Sequence, residues 1–206
     1  MKKGKTIFAA IVLLLVFVVG GAVAYFTDTD SATNTFTIGN VDIEVVEDLW
    51  DQLTDTDSDG IPDDAEDMMP GETVTKDPAI HNLSTTNPAY VFMKVVAPCS
   101  TDANAKELFP YTADTTHWYL MTPSNSCTNG TVTRIYAYGT SSAMTALAAD
   151  GTTEELFTSV QLNTAVDGSE TGITGNLDME IYGYAIQSDG ITATTPSAVW
   201  TAANFS

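Results

Sequence analysis

The stretch GGAVAYFTDTDSATNTFTIGNVDIEVV, from Gly20 to Val46, carries three signals that organise the rest of the chain. It begins where an apolar segment ends in small residues, and it continues as a polar, threonine-rich run. Its last part has an apolar residue at every second position, with one change of phase at Gly39-Asn40. These alternating residues are Phe36, Ile38, Val41, Ile43 and Val45. Because side chains on a strand alternate between two faces, the pattern predicts a flexible, β-competent arm that leads into the first strand of a sandwich.

The first 24 residues have the composition of a secretory signal peptide. Three lysines precede an apolar run from residue 7 to residue 24, and the run ends in Ala-Val-Ala, with small residues at the positions that a signal peptidase inspects. We predict cleavage between Ala24 and Tyr25, with the signal peptidase as a partner during export. Two alternatives stay open. The leader could be an uncleaved membrane anchor, because its 18 apolar residues are nearly enough to span a bilayer. It could also be a pilin-type leader, but the apolar run lacks the acidic residue that such leaders carry.

The strongly acidic charge of the chain restricts the partners that it can bind. The chain has 206 residues, and only four of its seven basic residues but all 27 acidic residues follow the leader, so residues 25–206 carry a formal charge of −23. Such a chain repels nucleic acid and anionic lipid, so we expect contact with a membrane only through the uncleaved leader. A need for solubility outside the cell would also explain the charge.

Cys99 and Cys127 are the only two cysteines of the chain, an even number in an exported protein, and we expect a disulfide between them rather than two free thiols.

The acidic run from Asp55 to Glu66 has the spacing of a twelve-residue calcium loop. Counted from Asp55, carboxylates fall at positions 1, 3, 5, 9 and 12, and Gly60 at position 6 permits a sharp bend. Ca²⁺ binds six to eight oxygens, so this pattern predicts a Ca²⁺ site, with a merely solvated acidic loop as the alternative. The predicted ligands are the side chains of Asp55, Asp57, Asp59, Asp63 and Glu66 and the carbonyl of Ile61.

Pro62 distinguishes this loop from a signalling EF-hand. It occupies position 8, where paired EF-hands use a main-chain N–H, and proline has none. The run therefore resembles the Asp-x-Asp-x-Asp-Gly-Ile-Pro-Asp-Asp sequence of thrombospondin type 3 repeats. This resemblance implies a structural calcium site with a dissociation constant on the order of 10⁻⁴ M.

Short segments of strand character fill the remainder of the chain. Residues 90–96 are apolar on nearly both faces and predict a central strand, and residues 131–138 and 177–187 alternate. Gly, Asp and Asn clusters separate these segments, and no long helix is indicated. We predict an all-β sandwich of the jelly-roll type over residues 41–206, with residues 47–69 as an acidic calcium-loop insertion. The Ala-rich residues 142–149 are ambiguous, and the tail at Val199, Trp200 and Phe205 suggests a capping turn.

Several segments resemble the TasA and camelysin-like proteins, which are substrates of a dedicated bacterial signal peptidase. The leader junction and the first strand, residues 20–43, carry most of the resemblance. Shorter matches follow at Pro70-Gly71-Glu72, Asn82, Ala89-Tyr90-Val91, residues 150–160 and residues 184–187. The resemblance implies secretion to the extracellular matrix or cell surface. It also implies a jelly-roll subunit that polymerises into biofilm-matrix fibres.

The same resemblance implies how the subunits join. In the family the N-terminal arm of one subunit completes the sheet of the next, which corresponds here to residues 25–40, with Thr33, Phe36 and Ile38 as the assembly contacts. Strand addition needs only main-chain hydrogen bonds and alternate side-chain pockets. The expected partner is a second copy of the chain, or a related minor matrix subunit. The acidic insertion departs from the shorter family members and leaves open whether the protein polymerises alone.

An enzymatic reading finds little support in the sequence. Some relatives carry the name of a metallopeptidase, but a zincin needs His-Glu-x-x-His, and here His81 is followed by Asn82 and His117 by Trp118. No Gly-x-Ser-x-Gly elbow is present. We therefore predict that the protein is not an enzyme, with a metallopeptidase as a distant alternative. The nearer alternative is a monomeric adhesin or glycan-binding module of the same fold. The aromatic residues Trp118, Tyr119, Tyr136 and Tyr138 could form a glycan-binding platform, but we favour packing in the core or on a sheet face for them.

Overall fold

A computed structural model describes residues 36–38 (main chain only), 41–58, 60–100, 106–122, 126–167 and 177–205. The leader, its cleavage site at Ala24 and Tyr25, the arm residue Thr33 and the loop residue Asp59 lie outside these ranges. None of the helices within the described ranges has the length and apolarity needed to cross a bilayer.

Short strands dominate the described chain, and the all-β class is confirmed. The strands are β1 Phe36–Ile38, β2 Ile43–Val46, β3 Thr73–Thr75, β4 Ala79–Asn82, β5 Ala89–Pro98, β6 Trp118–Leu120, β7 Thr131–Tyr138, β8 Ser159–Gln161 and β9 Glu180–Gln187. A five-stranded sheet has the order β1-β9-β5-β7-β6, and two further pairs, β2–β4 and β3–β8, face it. All these pairs are antiparallel except β1–β9. Two 3₁₀ turns, Trp50–Gln52 and Asp63–Ala65, lie in the acidic insertion, and one helix, α1 Pro196–Ala203, follows β9.

Strand β5 is the centre of the fold because both of its faces are covered. Val91, Met93 and Val95 point to the core between the two layers, whereas Phe92 points to the opposite face of the sheet, and all four are at most 1% exposed. A strand buried on both faces must be apolar at consecutive positions, which explains the continuous apolar run of the sequence.

The second layer is built around β3 and β4, which follow one another with a short break at Asp77-Pro78. The chain from residue 151 to residue 162 runs along one side of both strands, through hydrogen bonds that include Thr153 N to Ile80 O and Leu156 N to Pro78 O. On the other side, β2 pairs with β4 alone. Residues 151–162 therefore run along the whole of β3 and β4 on one side, whereas β2 runs along β4 only on the other.

The C-terminal helix covers the outer face of the large sheet. Phe92 and Tyr184 make edge or tilted ring contacts with Trp200 and Phe205, at centroid separations between 5.1 and 5.8 Å. The sequence suggested only a capping turn here. The structure instead forms two helical turns, which begin at Pro196 and end where Asn204 takes a left-handed conformation. Without α1 this aromatic face would be exposed to water.

Two local features complete the described fold. A disulfide joins Cys99, at the end of β5, to Cys127, with 5.9 Å between their Cα atoms. The two cysteines are 28 residues apart, and the closed loop stabilises the fold by about 3.5 kcal/mol.

The Ala-rich residues 142–149 form neither a helix nor a strand. They contact the large sheet through isolated bridges, Gly139 to Met144 and Ala89 to Leu147.

All four basic residues that follow the leader are held in contacts. Arg134 forms a two-pronged ion pair with Glu107 at 2.6 and 2.7 Å, and Lys76 pairs with Glu47 at 2.9 Å. The Nζ of Lys94 lies 4.6 Å above the ring of Tyr182, and that of Lys106 donates to the carbonyl of Ala165. The remaining charged surface of the described chain is acidic.

The two layers approach each other closely at Gly183, and we expect this position to tolerate little added volume. A Cβ at this site would lie 3.1 Å from both Ile43 Cδ1 and Val45 Cγ2 of β2. We predict that Gly183→Val lowers the free energy of unfolding by about 1–3 kcal/mol in urea titrations, through overpacking. Gly183→Ala should cost less, and adding Val45→Ala to Gly183→Val should restore part of the loss. Equal stability of Gly183→Val and the wild type would contradict the close packing.

Candidate functional site: the acidic insertion and the adjacent groove

The acidic loop is shaped by its own carboxylates. Asp55 accepts hydrogen bonds from the amides of Ser58 at 2.6 Å and Gly60 at 3.0 Å, and Asp63 accepts from the amide and hydroxyl of Thr56 at 2.8 and 2.5 Å. Gly60 has a φ of 91°, and the space where its Cβ would stand is empty to 4 Å. The hydrogen bonds from Thr56 hold the pKa of Asp63 below its ordinary value, so its carboxylate is ionised at neutral pH.

The donor set of this loop fits a hard cation, although those of its carboxylates that the structure describes form no close group of three. Asp55, Asp57, Asp63 and Glu66 offer only oxygen, which is the chemistry that Ca²⁺ prefers. Within the described ranges, which omit Asp59, no three His, Cys, Asp or Glu side chains are grouped closely enough to hold a metal. Two of the carboxylates are turned toward main-chain amides of the loop instead. A bound cation would have to share Asp55 and Asp63 with these amides.

A buried polar network attaches the insertion to the sandwich. Asp77, which is 3% exposed, accepts hydrogen bonds from the amides of Leu49 at 2.9 Å and Trp50 at 3.1 Å. Next to it, the Nζ of Lys76 pairs with Glu47 and lies 4.4 Å above the ring of Trp50. Burial raises the pKa of Glu47 despite the attraction of Lys76, and its Oε1 is buried with no hydrogen-bond partner among the described residues. The sequence patterns did not indicate this network.

An apolar groove of about 470 Å³ opens between the insertion and the second layer. One wall comes from the insertion and the other from β3, β8 and the residues just before β9. Its principal apolar lining residues are Ile61, Met68, Val74, Phe109, Leu162 and Leu177. Leu177 and Ile61 are each 40% exposed, so the groove is open to solvent. Sequence reasoning missed it, because its walls come from segments more than 100 residues apart.

Among the described residues, no strand lies beside the edge of β3 that faces away from β8. Glu72 and Lys76 hydrogen-bond to the opposite strand through Leu162 N to Glu72 O and Lys76 N to Thr158 O. In an antiparallel pair the intervening residues alternate, so the main-chain groups of Thr73 and Thr75 point the other way. On that side β2 ends at Val46, opposite Ala79, and the chain leaves into the insertion. An extended segment could therefore add to β3 at this point.

The N-terminal arm is only partly described. The main chain of Phe36–Ile38 forms β1, which pairs in parallel with Tyr184–Ile186 of the same molecule. Two of the three expected assembly residues therefore lie in their own sheet, at its edge, rather than in a free arm. The pairing is non-local and involves three residues, which the sequence pattern could not have specified.

Comparison with known proteins decides the family. A family model described as camelysin metallo-endopeptidase matches residues 1–108, more than half of the 206-residue chain. The chain belongs to the camelysin family. No curated protein and no solved structure matches it. The resemblance to TasA and camelysin-like proteins is thus confirmed, and membership supports a secreted, matrix-related protein with an extracellular or cell-surface location.

The two histidines of this camelysin-family chain lie in separate surroundings. His81 contacts the hydroxyl of Thr152 at 2.9 Å. The Nδ1 of His117 lies 2.6 Å from a carboxylate oxygen of Asp114, and its Nε2 lies 3.9 Å from Glu154. The hydrogen bond to Asp114 raises the pKa of His117. Burial favours a higher pKa for Asp114, but hydrogen bonds from His117 and Thr116 leave its pKa below the ordinary value.

The aromatic residues considered for glycan binding do not form an exposed platform. Trp118 is 1% exposed, Tyr136 4% and Tyr138 9%, and all three pack in the core between the layers. Tyr138 also donates to Glu154 at 2.5 Å, and burial together with this carboxylate raises its pKa to about 12. Only Tyr119 of the four is exposed. The packing role that the sequence favoured is therefore observed for three of these four aromatic residues.

We predict that stability falls as the pH rises through the histidine range. Because the folded-state pKa of His117 is raised, its charged form stabilises the fold fully below the ordinary histidine pKa, and this contribution disappears as pH rises through the folded-state value. The melting temperature should fall between about pH 6 and about pH 8 in the wild type, and less in His117→Gln or Asp114→Asn. The exposed Thr115→Ala is the control, and it should keep the wild-type slope. Identical slopes in all four proteins would contradict the assignment.

Proposed function

We propose that the protein is a secreted structural subunit of extracellular matrix fibres, which joins the next copy by donor-strand addition of its N-terminal arm and is stabilised by Ca²⁺. The observation that carries this proposal is β1, the end of the arm, which adds to a sheet edge through only three residues. A segment that makes strand contacts at an edge can make the same type of contact with a second molecule. Family membership supports the matrix setting.

The calcium part of the proposal is supported by the electrostatics of the insertion. The chain after the leader carries a formal charge of −23, and the twelve-residue loop alone contains six carboxylates. Bringing like charges together costs free energy, which a divalent cation offsets. The loop continues directly into residues that line the groove and contact the core, including Ala65 and Met68. A cation in the loop would thus stabilise one wall of the groove.

We also propose that this role is structural and not enzymatic. The support is the sequence, which lacks His-Glu-x-x-His, and the separation of the two histidines into unrelated hydrogen-bonded positions. A casein-release assay with and without a chelator tests this proposal. Release that depends on the protein and stops with the chelator would favour the metallopeptidase named by the family description.

The fibre proposal predicts that loss of the arm abolishes elongation but not folding. Deletion of residues 25–38 should give a protein whose circular dichroism remains that of a β-protein and which forms no fibres in negative-stain micrographs. Phe36→Asp with Ile38→Asp should have the same effect, because a charge cannot enter an apolar pocket without a large desolvation cost. Thr35→Ala, at a neighbouring position of opposite phase, is the control and should elongate. Unchanged fibres from the deleted protein would refute donor-strand addition.

The calcium proposal predicts a calcium-dependent gain in stability. With a dissociation constant on the order of 10⁻⁴ M, about 10 mM Ca²⁺ should add about 2.7 kcal/mol, seen as a rise of several degrees in melting temperature. Asp57→Ala with Asp59→Ala should remove the rise. Asp48→Ala with Asp51→Ala, which changes the charge equally outside the twelve-residue loop, should retain it. A wild-type protein that shows no rise would overturn the calcium assignment.

A further inference from the structure

We propose that the apolar groove between the acidic insertion and the second layer binds a basic amphipathic segment of a different protein. Such a segment would place apolar side chains in the groove and Lys or Arg side chains against its acidic rim. The inference goes beyond the fibre proposal, because it assigns the groove a partner other than a copy of the chain. The volume of the groove, about 470 Å³, lies within the range of about 300–1,000 Å³ that is usual for binding sites.

Exposed apolar side chains are concentrated at this place. Six large apolar side chains of the described chain are exposed, and two of them, Ile61 and Leu177, line the groove. Two more, Leu49 and Met69, belong to the same insertion, at 52% and 63% exposure. Single apolar residues scattered over a surface are normal, whereas a cluster of them marks an interaction site. Four of the six lie in the insertion or its groove, which indicates a binding surface.

Methionine side chains make the lining adaptable. Met68 lines the groove from the insertion, and Met179 lines it from the segment just before β9. With Met69, three of the seven methionines of the chain lie in the groove or next to a residue that lines it. The unbranched, polarisable Met side chain adjusts to irregular apolar partners and is common on surfaces that bind protein segments. The lining therefore suits the apolar face of such a segment.

The charge at the rim selects a basic partner. Asp67 and Asp178 line the groove at exposed positions, and neither forms an ion pair with another described residue. Lys76, the basic residue among the described lining residues, is paired with Glu47 and covered by the ring of Trp50. It therefore does not offset the two aspartates. A basic segment is attracted to this rim, and an acidic segment is repelled.

A second copy of the chain does not supply a basic segment. After the leader the chain has only four basic residues, which are scattered along the sequence, and each is held by a contact within its own molecule. A basic amphipathic segment needs several Lys or Arg residues on one face. An anionic membrane would meet the same repulsion as an acidic segment. The occupant that fits is a segment of a different, basic protein.

Three designed peptides test the charge and the apolar contact separately. The first has leucines on one helical face and lysines on the other, the second has glutamates in place of the lysines, and the third has glutamines in place of the leucines. The Leu/Lys peptide should bind the complete secreted protein in fluorescence anisotropy titrations, and added salt should weaken the binding. The Leu/Glu peptide should not bind, and the Gln/Lys peptide should bind roughly tenfold more weakly or less.

Substitution of an apolar lining residue tests whether the peptide lies in the groove. Leu177→Gln should weaken binding of the Leu/Lys peptide by roughly fivefold, because it removes apolar contact without adding a charge. Leu83→Gln is the matched control, since Leu83 is 42% exposed, compared with 40% for Leu177, and does not line the groove. The control should bind as the wild type does.

Substitution of the rim carboxylates tests the charge complementarity. Asp67→Asn with Asp178→Asn should weaken binding of the Leu/Lys peptide by roughly tenfold. Glu155→Gln with Asp189→Asn removes the same charge at exposed positions that do not line the groove, and it should change the affinity by less than about twofold.

Methionine methyl signals in NMR spectra provide a readout that needs no substitution. The Leu/Lys peptide should shift the signals of Met68 and Met179 and leave that of Met144, which packs with Phe92 and Val199 on the opposite face of the large sheet, unchanged. Equal binding of the Leu/Lys and Leu/Glu peptides, wild-type affinity in both groove variants, or a shift of Met144 alone would overturn the proposal. So would binding to phosphatidylcholine vesicles that Leu177→Gln weakens, because it would assign the groove to a lipid surface. None of these results affects the fibre proposal, which is tested by microscopy.

Discussion

Burial of both faces of β5 is the constraint from which the architecture follows. One face packs against β2, β4 and the chain that leads into β8, and the other packs against α1. A strand with consecutive apolar side chains cannot remain at a surface, so the protein needs a covering element on each side. The second layer and the C-terminal helix supply those covers. The pairs β5–β9 and β5–β7 then fix the register of the large sheet.

The sequence predicted those features that depend on local periodicity. Val132, Tyr136 and Tyr138 alternate along β7 and are all buried, and the run at residues 90–96 forms the middle of β5. Helix α1 was missed because its eight residues are too short for a periodic signal, and its stability comes from Trp200 packing on Phe92 and Tyr184. A helix of this length is not stable alone. Tertiary packing therefore decided its structure.

The candidate site was predictable only in part, because only its acidic loop has a local sequence pattern. The carboxylate spacing of the acidic loop is a local pattern, and the sequence displays it without any fold. The groove and its attachment are not local, because Asp77 meets Trp50 and Val74 meets Val160 only after the layers pack. Likewise, the partner of β1 lies about 150 residues further along the chain, in β9. Pairing at such separation is set by topology and loop closure, which composition does not encode.

The protein has few basic residues and all of them are held in contacts, which should make it resistant to proteases that cut after Lys or Arg. Endopeptidases of the trypsin type cut after Lys or Arg and need the bond in an extended, accessible loop. After the leader only four such bonds exist. One follows Lys94 in the middle of β5, which is paired on both sides, and another follows Arg134 in β7, which is paired with Val95 of β5. A third follows Lys76, which is 7% exposed. Digestion by such proteases would have to await unfolding of the sandwich at these three sites, so the density of the core also acts as protection against degradation.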